Sequence, residues 1–132
     1  MKKIVKTADA PNPVGPYNQA VVVNGMVFTA GQIAIDPKTD ALLNTDIQTQ
    51  TRLVLNNLGA VLRAAGSEFE HVVKTTVFLK NMNDFAAMNA VYAEFFTTAA
   101  PARSAVEVSR LPKDVLVEIE CVAVVPNGQS AG

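Results

Sequence analysis

Apolar and polar residues alternate at both ends of the stretch Pro101 to Cys121. Pro-Ala-Arg-Ser-Ala-Val-Glu-Val precedes a short polar loop, and Val-Leu-Val-Glu-Ile-Glu-Cys follows it. Strict alternation with many β-branched residues predicts two strands. Ser109, Arg110, Leu111 and Pro112 supply the bend, because proline cannot continue a central strand. The pattern therefore predicts a hairpin. On its first strand Arg103, Ala105 and Glu107 share one face, and Ser104, Val106 and Val108 the other. On its second, Glu118 and Glu120 share a face opposite Val117, Ile119 and Cys121. Folding about Arg110 and Leu111 sets Arg103 opposite Glu118, a register that a one-residue slip would undo.

The rest of the chain punctuates clearly. Lys3 to Thr7 predicts a short first strand, and Pro11, Pro13 and Pro16 then stiffen an extended arm ending in Gly15-Pro16-Tyr17. Such an arm delivers a phenol to a fixed place or caps a core edge with it. Ala20–Val23 and Met26–Ala30 flank Asn24-Gly25, the sequence of a type I′ hairpin turn. Gly31 follows, where the backbone can approach a ligand closely. Ile47, Val54, Leu55, Leu58, Val61 and Leu62 repeat at helical spacing between Asp46 and a capping Gly66, so a helix is predicted over 46–65. Val72 to Leu79 reads as a strand, with Val73, Thr75, Val77 and Leu79 on one side. His71, just before it, reads as a solvated or capping residue. Met82 to Phe96 predicts a second helix with an apolar stripe of Phe85, Met88, Tyr92, Phe95 and Phe96. Asn89 interrupts that stripe, and a buried amide must find partners, in the sheet backbone or in a pocket.

Helices crossing between strands imply parallel pairing, and hairpins imply antiparallel pairing, so the sheet is mixed. Right-handed crossovers put both helices on one face. Val22, Phe28, Val72 and Phe78 make some strands apolar on both sides, which predicts a homo-oligomer with bare sheet faces packed together. One domain over 1–126 is expected, with a loose tail over 127–132.

Composition narrows the function. The chain has 132 residues, 49% hydrophobic and 17% charged, with formal net charge −1 and a pI near 5.7. No basic cluster stands out, which argues against a nucleic-acid binder. A single cysteine excludes an internal disulfide, and with a lone histidine it makes no familiar metal-ligand spacing. Lys6 and Asp9 interrupt any apolar run after Met1-Lys2-Lys3, so no signal peptide, no membrane association and a cytoplasmic location are expected. Neither a Gly-x-Ser-x-Gly elbow nor a glycine-rich phosphate loop is present. What remains is Arg103 with Glu118, and Tyr17, Gly31 and Asn89 as possible neighbours. Arginine grips a carboxylate through two parallel hydrogen bonds, and a glutamate orients water or moves protons. The same pair would also serve as a plain cross-strand ion pair.

The sequence resembles the Rid family of reactive intermediate deaminases, and within it the RidA-type 2-iminobutanoate/2-iminopropanoate deaminases. The matching residues are Gly15-Pro16-Tyr17 with Gln19, Ala30-Gly31-Gln32-Ile33, Val73-Lys74-Thr75-Thr76-Val77, Asn83-Asp84-Phe85 with Asn89, Pro101-Ala102-Arg103-Ser104, Leu111-Pro112-Lys113-Asp114 and Glu118-Ile119-Glu120. The resemblance implies a chorismate-mutase-like α+β fold and a homotrimer with three clefts between subunits. It implies that Arg103 holds a substrate carboxylate and Glu118 positions the attacking water. Tyr17, the backbone at Gly31 and Ala105, and Asn89 would surround the cleft. Substrates would be carboxylate-bearing enamines and imines released by pyridoxal-phosphate-dependent dehydratases, hydrolysed to 2-oxo acids and ammonia with no metal or cofactor. Two positions depart from the family pattern: many relatives carry cysteine where this chain has Ala105, and some carry serine where it has Ala30. A ribonuclease or translation inhibitor, and a non-catalytic binder of 2-oxo acids, are the competing functions.

Overall fold

The computed structural model describes residues 1–126; the expected tail over 127–132 lies outside them. Six strands form one mixed sheet: β1 (Lys3–Val5), β2 (Ala20–Val23), β3 (Met26–Thr29), β4 (Val72–Leu79), β5 (Ala102–Glu107) and β6 (Val117–Val124). Helix α1 (Ile47–Ala64) joins β3 to β4, and α2 (Phe85–Phe95) joins β4 to β5. Their order across the sheet is β1-β2-β3-β6-β4-β5. Only β4 and β5 run parallel; every other neighbouring pair is antiparallel. The expected α+β architecture is the observed one, with both helices packed on a single sheet face.

Local chemistry explains the helix bounds. Asp46 caps α1 by accepting from the Thr49 N–H at 3.0 Å and its hydroxyl at 2.7 Å. Gly66, at φ 87°, ends it in a Schellman motif: Ser67 N–H reaches the Leu62 carbonyl at 2.9 Å and Gly66 N–H that of Arg63 at 3.1 Å. Asn24 (φ 52°) and Gly25 (φ 74°) make the primed turn of the β2–β3 hairpin. Val54, Leu55, Leu58, Val61 and Leu62 of α1 are fully buried against Val27, Val77, Val117, Ile119 and Ala123 of the sheet. Cys121 belongs to that core, and burial pushes its thiol pKa up to about 12.

The C-terminal hairpin is overturned. Strands β5 and β6 do not pair, because β4 lies between them. Thr75 of β4 has Arg103 on one side and Cys121 on the other, whereas Glu118 sits beside Phe78. Thr75 and Phe78 are three residues apart on one strand, so Arg103 faces the helices while Glu118 faces the open side. A second correction concerns β4, where the register shifts between Val72 and Lys74. This irregularity buries Val72 and turns Val73 outward, the reverse of simple alternation.

The sheet face without helices exposes Ile4, Phe28, Val106 and Val124, with Val73 thrown out beside them. Val22 and Val72 are buried on the helix side, and Phe28, beside Val21, is 43% accessible on the other. The two-sided apolar pattern is therefore real. Among the described residues, no helix is long and apolar enough to cross a membrane.

Candidate active site

Two separate clusters hold the expected site residues. The first is built on the edge strand β5. Arg103 projects toward α2, where Phe85, Asn89 and Tyr92 stand at positions i, i+4 and i+7 and so share one helix face. Its Nη1 donates to Asn89 Oδ1 at 2.6 Å. Its Cζ lies 4.7 Å from the Tyr92 ring centroid and 5.3 Å from that of Phe85, within cation–π range. The Tyr92 hydroxyl in turn shares a 2.7 Å hydrogen bond with Thr75 Oγ1. Asn89 breaks the apolar stripe in order to hold Arg103, rather than the sheet backbone. Among the described residues the ion pairs are Arg52–Glu94 and Arg110–Asp114, so Arg103 has no carboxylate partner there. Of the five guanidinium N–H groups, one is taken by a side chain of this chain.

The backbone of β5 adds to this cluster. Val108 N–H donates across to Leu79 of β4 at 2.9 Å. Peptide groups alternate sides along a strand, so the main chain of Arg103 and Ala105 points away from β4, toward the open edge.

The second cluster lies on the open side. Beyond β3 the chain is held to β6 by one bridge: Gln32 N–H reaches the Ile119 carbonyl at 2.9 Å, and Ile119 N–H the Gln32 carbonyl at 3.2 Å. That bridge lays Gly31 against Glu118. A Cβ on Gly31 would overlap the glutamate, falling 2.8 Å from its Cδ and 2.9 Å from its Cγ. Any other residue at 31 would make the Glu118 side chain give up this position. Tyr17 completes the group, folding back so that its phenol oxygen accepts from the Val14 N–H at 3.2 Å. Tyr17, Gly31 and Glu118 line a cavity of about 350 Å³ with Val14, Ala30, Ile33 and Pro112. Burial raises the Glu118 pKa above the ordinary glutamate value, and the neighbouring charge of Glu120 adds to the rise.

The proline arm that carries Tyr17 is anchored by Gln19, a buried amide whose role the sequence did not disclose. Gln19 Oε1 accepts from Thr7 N–H at 2.7 Å, and its Nε2 donates to the carbonyls of Thr7, Ala10 and Pro11 at 2.9–3.2 Å. Tyr92, Phe85 and Thr75 were equally silent. For Phe85 and Tyr92 the sequence signal was helical spacing, which pointed to core; for Thr75 it was strand alternation, which said nothing of a hydroxyl partner. His71 ends a 3-10 turn before β4 and belongs to neither cluster.

One chain thus brings together Arg103 with Asn89, and Tyr17 with Gly31 and Glu118, but does not unite the two groups. Comparison with known proteins supplies the context. The family model described as Endoribonuclease L-PSP matches residues 7–125. A RutC family protein of Synechocystis is 64% identical over 126 residues, covering 94% of this chain and 97% of the relative. A Salmonella typhimurium protein named 2-iminobutanoate/2-iminopropanoate deaminase is 51% identical, covering 94% of this chain and 98% of its own. Among solved structures, TdcF of Escherichia coli with bound serine matches with TM-score 0.89 at 47% identity, over 92% of this chain and 98% of that one. The chain belongs to the endoribonuclease L-PSP family, which takes in the RutC and Rid proteins.

Proposed function

We propose that this protein hydrolyses small 2-imino and 2-enamino acids, such as 2-iminobutanoate and 2-aminoacrylate, to 2-oxo acids and ammonia. The observation that carries the reading is Arg103: half-buried, seated on two aromatic faces, and without a carboxylate partner among the described residues. A guanidinium so held is a ready anchor for a substrate carboxylate. The deaminase name of the Salmonella relative and the serine bound to TdcF, itself a small amino acid, support the same ligand class.

The chemistry asks little of the protein. An imine carbon is already electrophilic, so no side-chain nucleophile, metal or cofactor is required. Arg103 fixes the carboxylate, and the outward N–H groups of β5 meet the nitrogen side of the substrate. An enamine first takes a proton from solvent at C3 and becomes the iminium. Glu118 then takes a proton from water as its oxygen adds to C2 of the iminium, giving a neutral carbinolamine. Glu118 passes that proton to the nitrogen, the C–N bond breaks as the hydroxyl oxygen forms the C=O bond, and the hydroxyl proton leaves with ammonia as ammonium, freeing the 2-oxo acid. Holding water and imine in attack geometry is the main contribution.

Because Arg103 and Glu118 lie on opposite sheet faces, a site using both is assembled from two copies of the chain. The exposed Ile4, Phe28, Val106 and Val124 offer the surface for such packing, and a homotrimer with three equivalent clefts satisfies it. The upstream supplier is a pyridoxal-phosphate-dependent dehydratase that releases enamines. The deciding experiment mixes the protein with threonine dehydratase and threonine. Faster release of 2-oxobutanoate, lost in Arg103→Ala, supports the deaminase. Unchanged release with 2-oxobutanoate still bound would leave a metabolite-binding protein, and RNA cleavage persisting in Arg103→Ala would point to a ribonuclease.

A further inference from the structure

The aromatic seat beneath Arg103 has a structure of its own. An arginine side chain has four rotatable bonds, and a single hydrogen bond to Asn89 does not fix the plane of its guanidinium. The closer of the two ring faces is Tyr92, at 4.7 Å. Tyr92 is itself held at two points. Its ring packs on Phe96 with centroids 4.5 Å apart, and its hydroxyl meets Thr75 Oγ1 at 2.7 Å. Thr75 is the residue paired with Arg103 across the β4–β5 ladder. The contacts therefore close a ring, from Arg103 across the ladder to Thr75, on to Tyr92, and back to the guanidinium. With its hydroxyl engaged by Thr75 and its side chain almost fully buried, Tyr92 acts on Arg103 and does not itself reach into the cleft. Burial also raises its phenol pKa, so the ring stays neutral and does not cancel the charge it supports.

We propose that Tyr92 is a positioning residue, whose ring face, locked through Thr75, aims the Arg103 guanidinium at the substrate carboxylate. The inference rests on Arg103 being the carboxylate anchor. Tyr92 is thus a determinant of substrate affinity rather than of the chemical step, and its aromatic face is what counts.

The test measures 2-oxobutanoate binding by titration calorimetry, and KM and kcat in the dehydratase-coupled assay. The proteins are wild type, Tyr92→Phe, Tyr92→Leu, Arg103→Ala and the double variant Tyr92→Leu/Arg103→Ala. Tyr92→Leu is expected to weaken 2-oxobutanoate by roughly 3- to 30-fold, the range of a partly desolvated cation–π contact, and to raise KM more than it lowers kcat. Tyr92→Phe keeps the face but gives up the Thr75 lock, so its affinity is expected to lie between those of wild type and Tyr92→Leu. In the Arg103→Ala background Tyr92→Leu adds nothing further. Should Tyr92→Leu not fold, Tyr92→Met, which also lacks a π face, carries the same expectation. Wild-type affinity in Tyr92→Leu, or an equal loss whether or not Arg103 is present, overturns the proposal while leaving the anchor intact. Unchanged binding in Arg103→Ala itself removes the anchor and the positioning role together.

Discussion

At the scale of single residues, the planar fork of Arg103 separates this site from any merely cationic one. Lysine keeps the charge but loses both the stacking on Tyr92 and Phe85 and the bidentate grip. Arg103→Lys is therefore expected to lower kcat/KM by about 10- to 100-fold in the coupled assay, mostly through KM. Gly31 makes a steric demand instead. Gly31→Ala forces the Glu118 side chain to swing out of its present place, so a stability loss of about 1 kcal/mol is expected, at the low end of overpacking because the obstacle is a flexible side chain beside a cavity. In a Glu118→Ala background the same substitution is expected to cost little, which paired thermal melts would show. Titration gives a third outcome. The raised pKa of Glu118 means that the fold favours its protonated form, so its contribution to stability is present below the ordinary glutamate range and lost as pH rises through the raised value. Under the proposed hydrolysis activity runs the other way, since Glu118 acting as the base must be ionised. The acid limb of kcat/KM is expected above the usual glutamate range, and Glu120→Gln moves it downward by removing the second cause of the shift.

Among the elements, the proline arm depends on a single amide. Removing Gln19 deprives Thr7 of its acceptor and three carbonyls of a shared donor. Gln19→Ala is expected to destabilise the protein by about 1–3 kcal/mol and to speed amide exchange along residues 7–17 before the rest of the chain. Legibility in the sequence also divides at this scale. Both helices and the Asn24-Gly25 hairpin could be read, because helical spacing, caps and a primed turn are local properties. Face assignments in β5 and β6 were right for the same reason, since alternation is intrinsic to a strand. Their pairing was not, because nothing in residues 101–121 records that β4, a segment some thirty residues earlier, inserts between them. The Val72/Val73 irregularity was hidden likewise: two adjacent valines look the same whichever faces the core. Arg103 and Glu118 thus stood out by residue type, but not as residents of opposite faces.

For the whole molecule, that opposition makes complementation a direct test of shared sites. Arg103→Ala and Glu118→Gln, each inactive alone, are expected to regain roughly a quarter of wild-type activity when unfolded and refolded together in equal amounts, since a random ring pairs an intact arginine with an intact glutamate at that frequency. Sites confined to one chain would recover nothing. Sedimentation of the wild-type protein at micromolar concentration is expected to give three times the 14.0 kDa chain mass.

The sealed thiol of Cys121 has a practical consequence. A sulfur in the middle of the sheet, protonated across the whole working pH range, is invisible to alkylating reagents until β6 separates from its neighbours. As the chain holds one cysteine, a colour-forming disulfide reagent becomes a one-signal clock for the opening of the central sheet, readable without any introduced label.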